Sequence, residues 1–199
     1  MRPETEIAGI IAGQAALNKT LDQLSAADLV KASLLPDWSV AHVLAHVARN
    51  ADSVVRRLQG AIDDEVVDQY AGGKAGRAAE IEESAGLPPI ELIAQVRSSS
   101  ADVERLCAAM PDDAWERLSR AVNGSERPAR DVVYSRWREV EIHHVDLGLD
   151  HYTAADWPEE LVQRMLPEVL DKLAPRTDPR TLLAWTIGRG NAPVLESWG

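Results

Sequence analysis

Apolar residues recur at helical spacing along most of this chain, and prolines or glycines separate the stripes. Ile7, Ile10, Ile11, Ala15, Leu17 and Leu21 mark a first helix over residues 4–21. Val40, Leu44, Val47, Ala51, Val54, Val55 and Leu58 mark a second over 40–61, with Ser39 placed as its N-cap behind the breaker Leu34-Leu35-Pro36-Asp37-Trp38. Pro88-Pro89 opens a third, whose stripe of Leu92, Val96, Val103, Leu106, Cys107 and Met110 runs to Pro111. Pro128 introduces a fourth over 129–149, and Pro158 a fifth through Leu161, Met165, Leu166, Val169, Leu170 and Leu173. A last short helix covers 181–187, ahead of an extended tail over 192–199. Residues 63–87 are glycine-rich and poorly patterned, so they read as a long loop with one short helix near 75–84. Asn123-Gly124 signals a tight reversal, a minimal hairpin at most. The fold class is all-α: a bundle over residues 1–150, with a short helical segment over 151–199 packed on it.

One helix breaks the pattern of buried apolar and exposed polar faces. In Arg138-Glu-Val-Glu-Ile-His-His-Val-Asp-Leu-Gly-Leu149, the residues Glu139, His143 and Asp146 share a narrow stripe. Val133, Val140 and Leu147 flank that stripe on one side, and Ile142 and Leu149 on the other. Buried ionisable groups are costly unless paired, hydrogen-bonded or bound to a cation, so the stripe requires a partner from another helix. The 40–61 helix offers two histidines. His46 lies on the shoulder of its apolar stripe beside Val43 and Asn50, whereas His42 lies further round toward solvent. Neighbouring bundle helices sit roughly 8–10 Å apart, close enough for His46 to meet Glu139 and His143. Two imidazoles and one carboxylate leave one position open on a tetrahedral zinc, the pattern of a catalytic metal site. Asp146 is then free to orient a ligand. A buried polar network without metal satisfies the same residues.

Composition narrows the chemistry. The formal charge of −11 repels nucleic acid and anionic membranes, and no stretch nears the roughly 18 apolar residues of a membrane span. A single cysteine, Cys107, excludes a disulfide framework and a thiolate-rich metal site, and its place in a core stripe makes it a buried hydrophobe. With no secretory signal behind Met1, the expectation is a cytoplasmic protein. An anionic substrate would need dedicated arginines, which makes isolated loop arginines of interest.

Three segments carry a resemblance. Trp38-Ser-Val-Ala-His-Val-Leu-Ala-His-Val-Ala-Arg-Asn50, Arg138-Glu-Val-Glu-Ile-His-His-Val-Asp-Leu-Gly148 and Gly188-Arg-Gly190 are similar, in order and separation, to the mycothiol-dependent maleylpyruvate isomerase family of DinB-like metalloproteins. The resemblance implies a DinB-like bundle of four core helices with one or two C-terminal helices. It also implies zinc held by His46, Glu139 and His143, mycothiol as the thiol cofactor, and a small-molecule substrate. Arg77 and Arg189 resemble arginines that the family uses in catalysis and around its thiol. The implied reaction converts maleylpyruvate to fumarylpyruvate by thiolate addition, bond rotation and elimination. Family members commonly have a longer C-terminal portion with strands between the last two helices; here only residues 174–178 join them, which leaves the electrophile open. Two alternatives stand beside the isomerase: a mycothiol S-transferase acting on another electrophile, and a non-enzymatic metal-binding bundle.

Overall fold

The helices form where the apolar stripes predict them. The structure, a computed structural model, describes residues 1–195. Its helices are α1 (Glu4–Leu21), the single turn α2 (Ala26–Leu29), α3 (Val40–Ile62), α4 (Gly73–Ala85), α5 (Pro89–Ala109), α6 (Ala129–Asp146), α7 (Glu159–Asp171) and α8 (Pro179–Thr186). Two compact units divide the chain, Met1–Ala155 and Asp156–Gly199. In the first, α3 packs against α4, α5 and α6, and α1 against α5 and α6, so α1, α3, α5 and α6 are the four core helices. Fully buried Val40, Val43, Leu44, Val47, Leu92 and Val96 join α3 to α5. No helix among the described residues is long and apolar enough to cross a membrane.

Local chemistry sets the helix ends that matter for the site. Ser39 caps α3, accepting from the backbone N–H of His42 at 3.4 Å while the His42 ring returns to Ser39. Strands β1 (Leu118–Arg120) and β2 (Glu126–Pro128) pair as the short hairpin predicted at Asn123-Gly124, where Gly124 has φ +82°. This hairpin leads directly into α6, whose first amide, Ala129, bonds Arg117 O at 2.9 Å.

Three expectations are corrected. The 129–149 helix stops at Asp146: Gly148 turns left-handed (φ +67°), and the Asp146 carbonyl accepts from Leu34 N–H at 2.9 Å, so Leu149 leaves the helical face. The long stretch after α3 contains the thirteen-residue α4, somewhat longer than the predicted 75–84. On α7, Leu161 is buried but Leu166 and Leu170 remain about half exposed, so only part of the apolar stripe is covered. Of the predicted extended tail, residues 192–195 lack helix and strand, and 196–199 lie outside the described residues.

Cys107 is buried in the α5 stripe, and burial pushes its thiol up to about 11. A protonated, covered thiol should ignore a thiol-specific chromogenic reagent at pH 7 and react stoichiometrically only in denaturant. Rapid labelling of the native protein would contradict this placement.

Candidate metal centre

Two polar seams meet inside the bundle. On α3 the buried residues His46, Asn50, Ser53 and Arg57 recur at intervals of four, three and four, which keeps them on one face. On α6, Arg136, Glu139, His143 and Asp146 recur at three, four and three. The helices run antiparallel here: His46 meets Glu139 and His143, while Arg136, one turn earlier on α6, reaches Asn50, one turn later on α3.

The closest approach is among three ligand-type atoms. His46 Nε2 lies 2.9 Å from Glu139 Oε2 and 3.0 Å from His143 Nε2, and the latter is 3.3 Å from Glu139 Oε2. Both histidines present Nε2, and each ring is held from outside the trio. His143 Nδ1 is 2.8 Å from Asp146 Oδ2, a carboxylate partner that fixes the ring and favours Nδ1–H. The His46 ring meets the Trp38 indole edge-on, with centroids 5.7 Å apart.

Charge in the cluster is polarised. Burial opposes ionisation of Glu139, but hydrogen bonds from His143 and His46 outweigh it and hold the carboxyl well below its usual range. Burial likewise opposes protonation of His143, yet Asp146 and Glu139 outweigh it and raise the ring to about 9. His46 is pushed the other way by burial, with His143 and Arg77 adding to that effect against Glu139. The result is an ionised carboxylate, a neutral imidazole and a second imidazole that attracts positive charge, at a point where a divalent cation would find two nitrogen donors and an oxygen.

The other singled-out residues fall into two groups. His42 stays outside the trio; its ring serves the α3 cap and lies 3.4 Å from Glu82. Arg77, in the stretch after α3, comes from α4 and brings Nη2 to 3.2 Å from His46 Nδ1, with its guanidinium 6.0 Å from the Tyr70 ring centre. Arg189 belongs to the second unit, just past α8, where its Nη1 reaches the carbonyls of Ile187 and Gly188.

Comparison with known proteins resolves the class. A family model described as "Mycothiol maleylpyruvate isomerase N-terminal domain" matches residues 12–148, the stretch that contains both polar seams. The chain belongs to this family. A crystal structure of the mycothiol-dependent maleylpyruvate isomerase is similar at 28% identity and a TM-score of 0.80, covering 85% of this chain and 70% of that one. A histidine-to-alanine mutant of the isomerase gives 27% identity with the same TM-score and coverage. YfiT from Bacillus subtilis, a four-helix bundle of unusual topology, shares the fold at 16% identity and a TM-score of 0.57, over 82% of this chain and 87% of that one. The comparison with curated proteins found no match.

Within this family member, the donor set fits a divalent cation. His46, Glu139 and His143 each offer one ligand atom within 4.8 Å of the others, and Asp146 already holds His143 in the tautomer that frees Nε2. Some buried polar residues were invisible to the periodicity reading. Glu141 and His144, on the opposite face of α6, are also buried: Glu141 accepts from Trp137 Nε1 at 3.3 Å and from the Tyr152 hydroxyl, and His144 Nε2 is 2.8 Å from Thr20 Oγ1. Arg136 is buried between three helices, bonded to Val47 O, Asn50 Oδ1 and Ser100 Oγ. The seam spacing on α3 and α6 was the available signal for Arg57 and Arg136; nothing local marked Glu141.

Proposed function

We propose that this chain is a zinc- and mycothiol-dependent isomerase that converts maleylpyruvate to fumarylpyruvate. The observation that carries this reading is the convergence of His46 Nε2, His143 Nε2 and Glu139 Oε2 in a member of the maleylpyruvate isomerase family. These three residues are the proposed zinc ligands. A zinc ion bound by them would keep a coordinated thiol in its nucleophilic thiolate form near neutral pH.

The chain's own residues supply orientation and charge. Asp146 fixes the His143 ring so that Nε2 stays an acceptor toward the metal. Arg77, with Nη2 beside His46, is the proposed residue for a substrate carboxylate and for the negative charge that grows on the substrate as its double bond is attacked. Arg189 is the second proposed catalytic arginine and a contact for the thiol cofactor, a role supported by its Gly188-Arg189-Gly190 context. It bonds to backbone carbonyls, and no carboxylate among the described residues pairs with its charge. The reaction involves no net oxidation or reduction, and the reading puts the protein in the cytoplasm, where a small thiol stays reduced.

The deciding experiment measures maleylpyruvate isomerisation with and without mycothiol, alongside metal content by mass spectrometry. One zinc per chain and turnover at catalytic thiol are expected. Stoichiometric consumption of thiol into a conjugate would identify an S-transferase instead, and absence of stoichiometric metal would leave only the bundle. In the same assay Asp146→Ala should weaken zinc affinity by about 10–100-fold. Wild-type affinity in that variant, from a chelator titration, would remove Asp146 from the site.

A further inference from the structure

Arg57 is a buried cation that neither the fold nor the reaction described above uses. It lies on the same face of α3 as His46, three turns further along, and is 4% exposed. Its Nε donates to Ser53 O at 3.2 Å, one turn back, which folds the side chain toward the metal-centre end of the helix. Among the described residues no carboxylate lies within ion-pair distance, and its Nη groups have no hydrogen-bond partner there.

Arg136 is the instructive contrast. It too is buried without a carboxylate, but both of its Nη groups are spent on Val47 O, Asn50 Oδ1 and Ser100 Oγ, which ties α3, α5 and α6 together. Arg57 ties nothing comparable. The Nη groups of Arg57 lack a partner without being sealed from solvent, so a ligand can reach them, and in a chain of net charge −11 no acidic side chain among the described residues pairs with it. Burial depresses its basicity to about 10, with the ionised Glu139 pulling the other way. Tyr70 is itself buried and carries Arg77 over its ring. Arg77 thus stands between the Tyr70 ring and His46, and among the described residues Arg57 hydrogen-bonds only Ser53 O.

We infer that Arg57 binds a carboxylate of an anionic electrophile whose reactive end lies toward Arg77 and the His46–Glu139–His143 cluster. This rests on the isomerase reading for the identity of the electrophile, though not for its charge. A planar guanidinium with two free Nη groups suits a carboxylate bidentately. The site would thus select doubly charged substrates over their monoesters.

The test uses maleate, an unreactive cis-dicarboxylate, titrated calorimetrically into the zinc-loaded full chain. Wild type should bind maleate, Arg57→Met should weaken it by about 10–100-fold, and Arg57→Lys should fall between them. Maleate monomethyl ester should bind more weakly to wild type, and dimethyl maleate, which has no carboxylate, should show no dependence on Arg57. Circular dichroism melting tests folding, and should Arg57→Met unfold, Arg57→Lys must still weaken maleate. Equal maleate affinity in wild type and a folded Arg57 variant overturns the inference, as does a wild type that binds no maleate. Maleate binding that depends on Arg57 without maleylpyruvate turnover would sink the isomerase and keep the carboxylate site. Turnover with an unchanged KM in Arg57→Met would do the reverse.

Discussion

His46→Ala is expected to lose zinc and isomerase activity together, by more than about 100-fold each, while His42→Ala keeps both near wild type. The two histidines stand one turn apart on α3 and are chemically identical, so the difference rests entirely on where each ring goes. His46 is 3% exposed and brings Nε2 within 3.0 Å of both Glu139 and His143. Removing it leaves one imidazole and one carboxylate, too few for a closed three-point hold on the ion. Losing a group that only orients a ligand costs about 10–100-fold in affinity, so losing a ligand should cost more. The His42 ring instead contacts Ser39 and lies 3.4 Å from exposed Glu82, so its loss should cost about 1 kcal/mol of helix capping. Helicity by circular dichroism should be unchanged in both proteins. Wild-type zinc content or turnover in His46→Ala would overturn the proposed centre.

The second large effect concerns stability at the α1–α6 contact. Trp137 is almost fully buried and lies over Gly9 of α1; a Cβ added at Gly9 would fall 2.3 Å from Trp137 Cε2. Trp137→Ala empties that space and strips Glu141 of its indole donor. The expected loss is about 3–5 kcal/mol, which lowers the melting temperature by on the order of 10 °C. Gly9→Ala alone faces two opposed effects. Alanine gains about 1 kcal/mol of helix propensity over glycine, but a clash with a boxed-in indole costs about 1–3 kcal/mol, so net destabilisation is expected. In the Trp137→Ala background the clash is gone and the same Gly9→Ala change should stabilise. The sign reversal is measured by a double-mutant cycle in urea. Additive single and double mutants would show that the ring moves aside freely.

Much of the site's surroundings could be read before the fold was known, and the reason is periodicity. Helices with apolar stripes bounded by Ser39, Pro88-Pro89 and Pro128 are set by local chemistry, so their positions followed from spacing alone. The same spacing put Glu139, His143 and Asp146 on one stripe and separated His46 from His42. Periodicity is silent on two kinds of residue. Arg77 lies on α4, whose stripe is weak, and only the packing of α4 on α3 carries it to His46. Glu141 and His144 lie on a face of α6 that would be solvated in an isolated helix; α1 covers it with Gly9 and Gly13, and their missing side chains admit Trp137 and Glu141.

By itself, then, the sequence determined the helices, the polar stripe on α6 and the candidate partners of that stripe, because each depends on neighbours within a few turns. Tertiary structure alone decided which ionisable groups are buried and which atoms converge. Two antiparallel seams bring residues 93 and 97 positions apart to about 3 Å, and burial then sets the opposite protonation preferences of His46 and His143. Distances and desolvation of that kind depend on helices far apart in the chain, and no local pattern contains them.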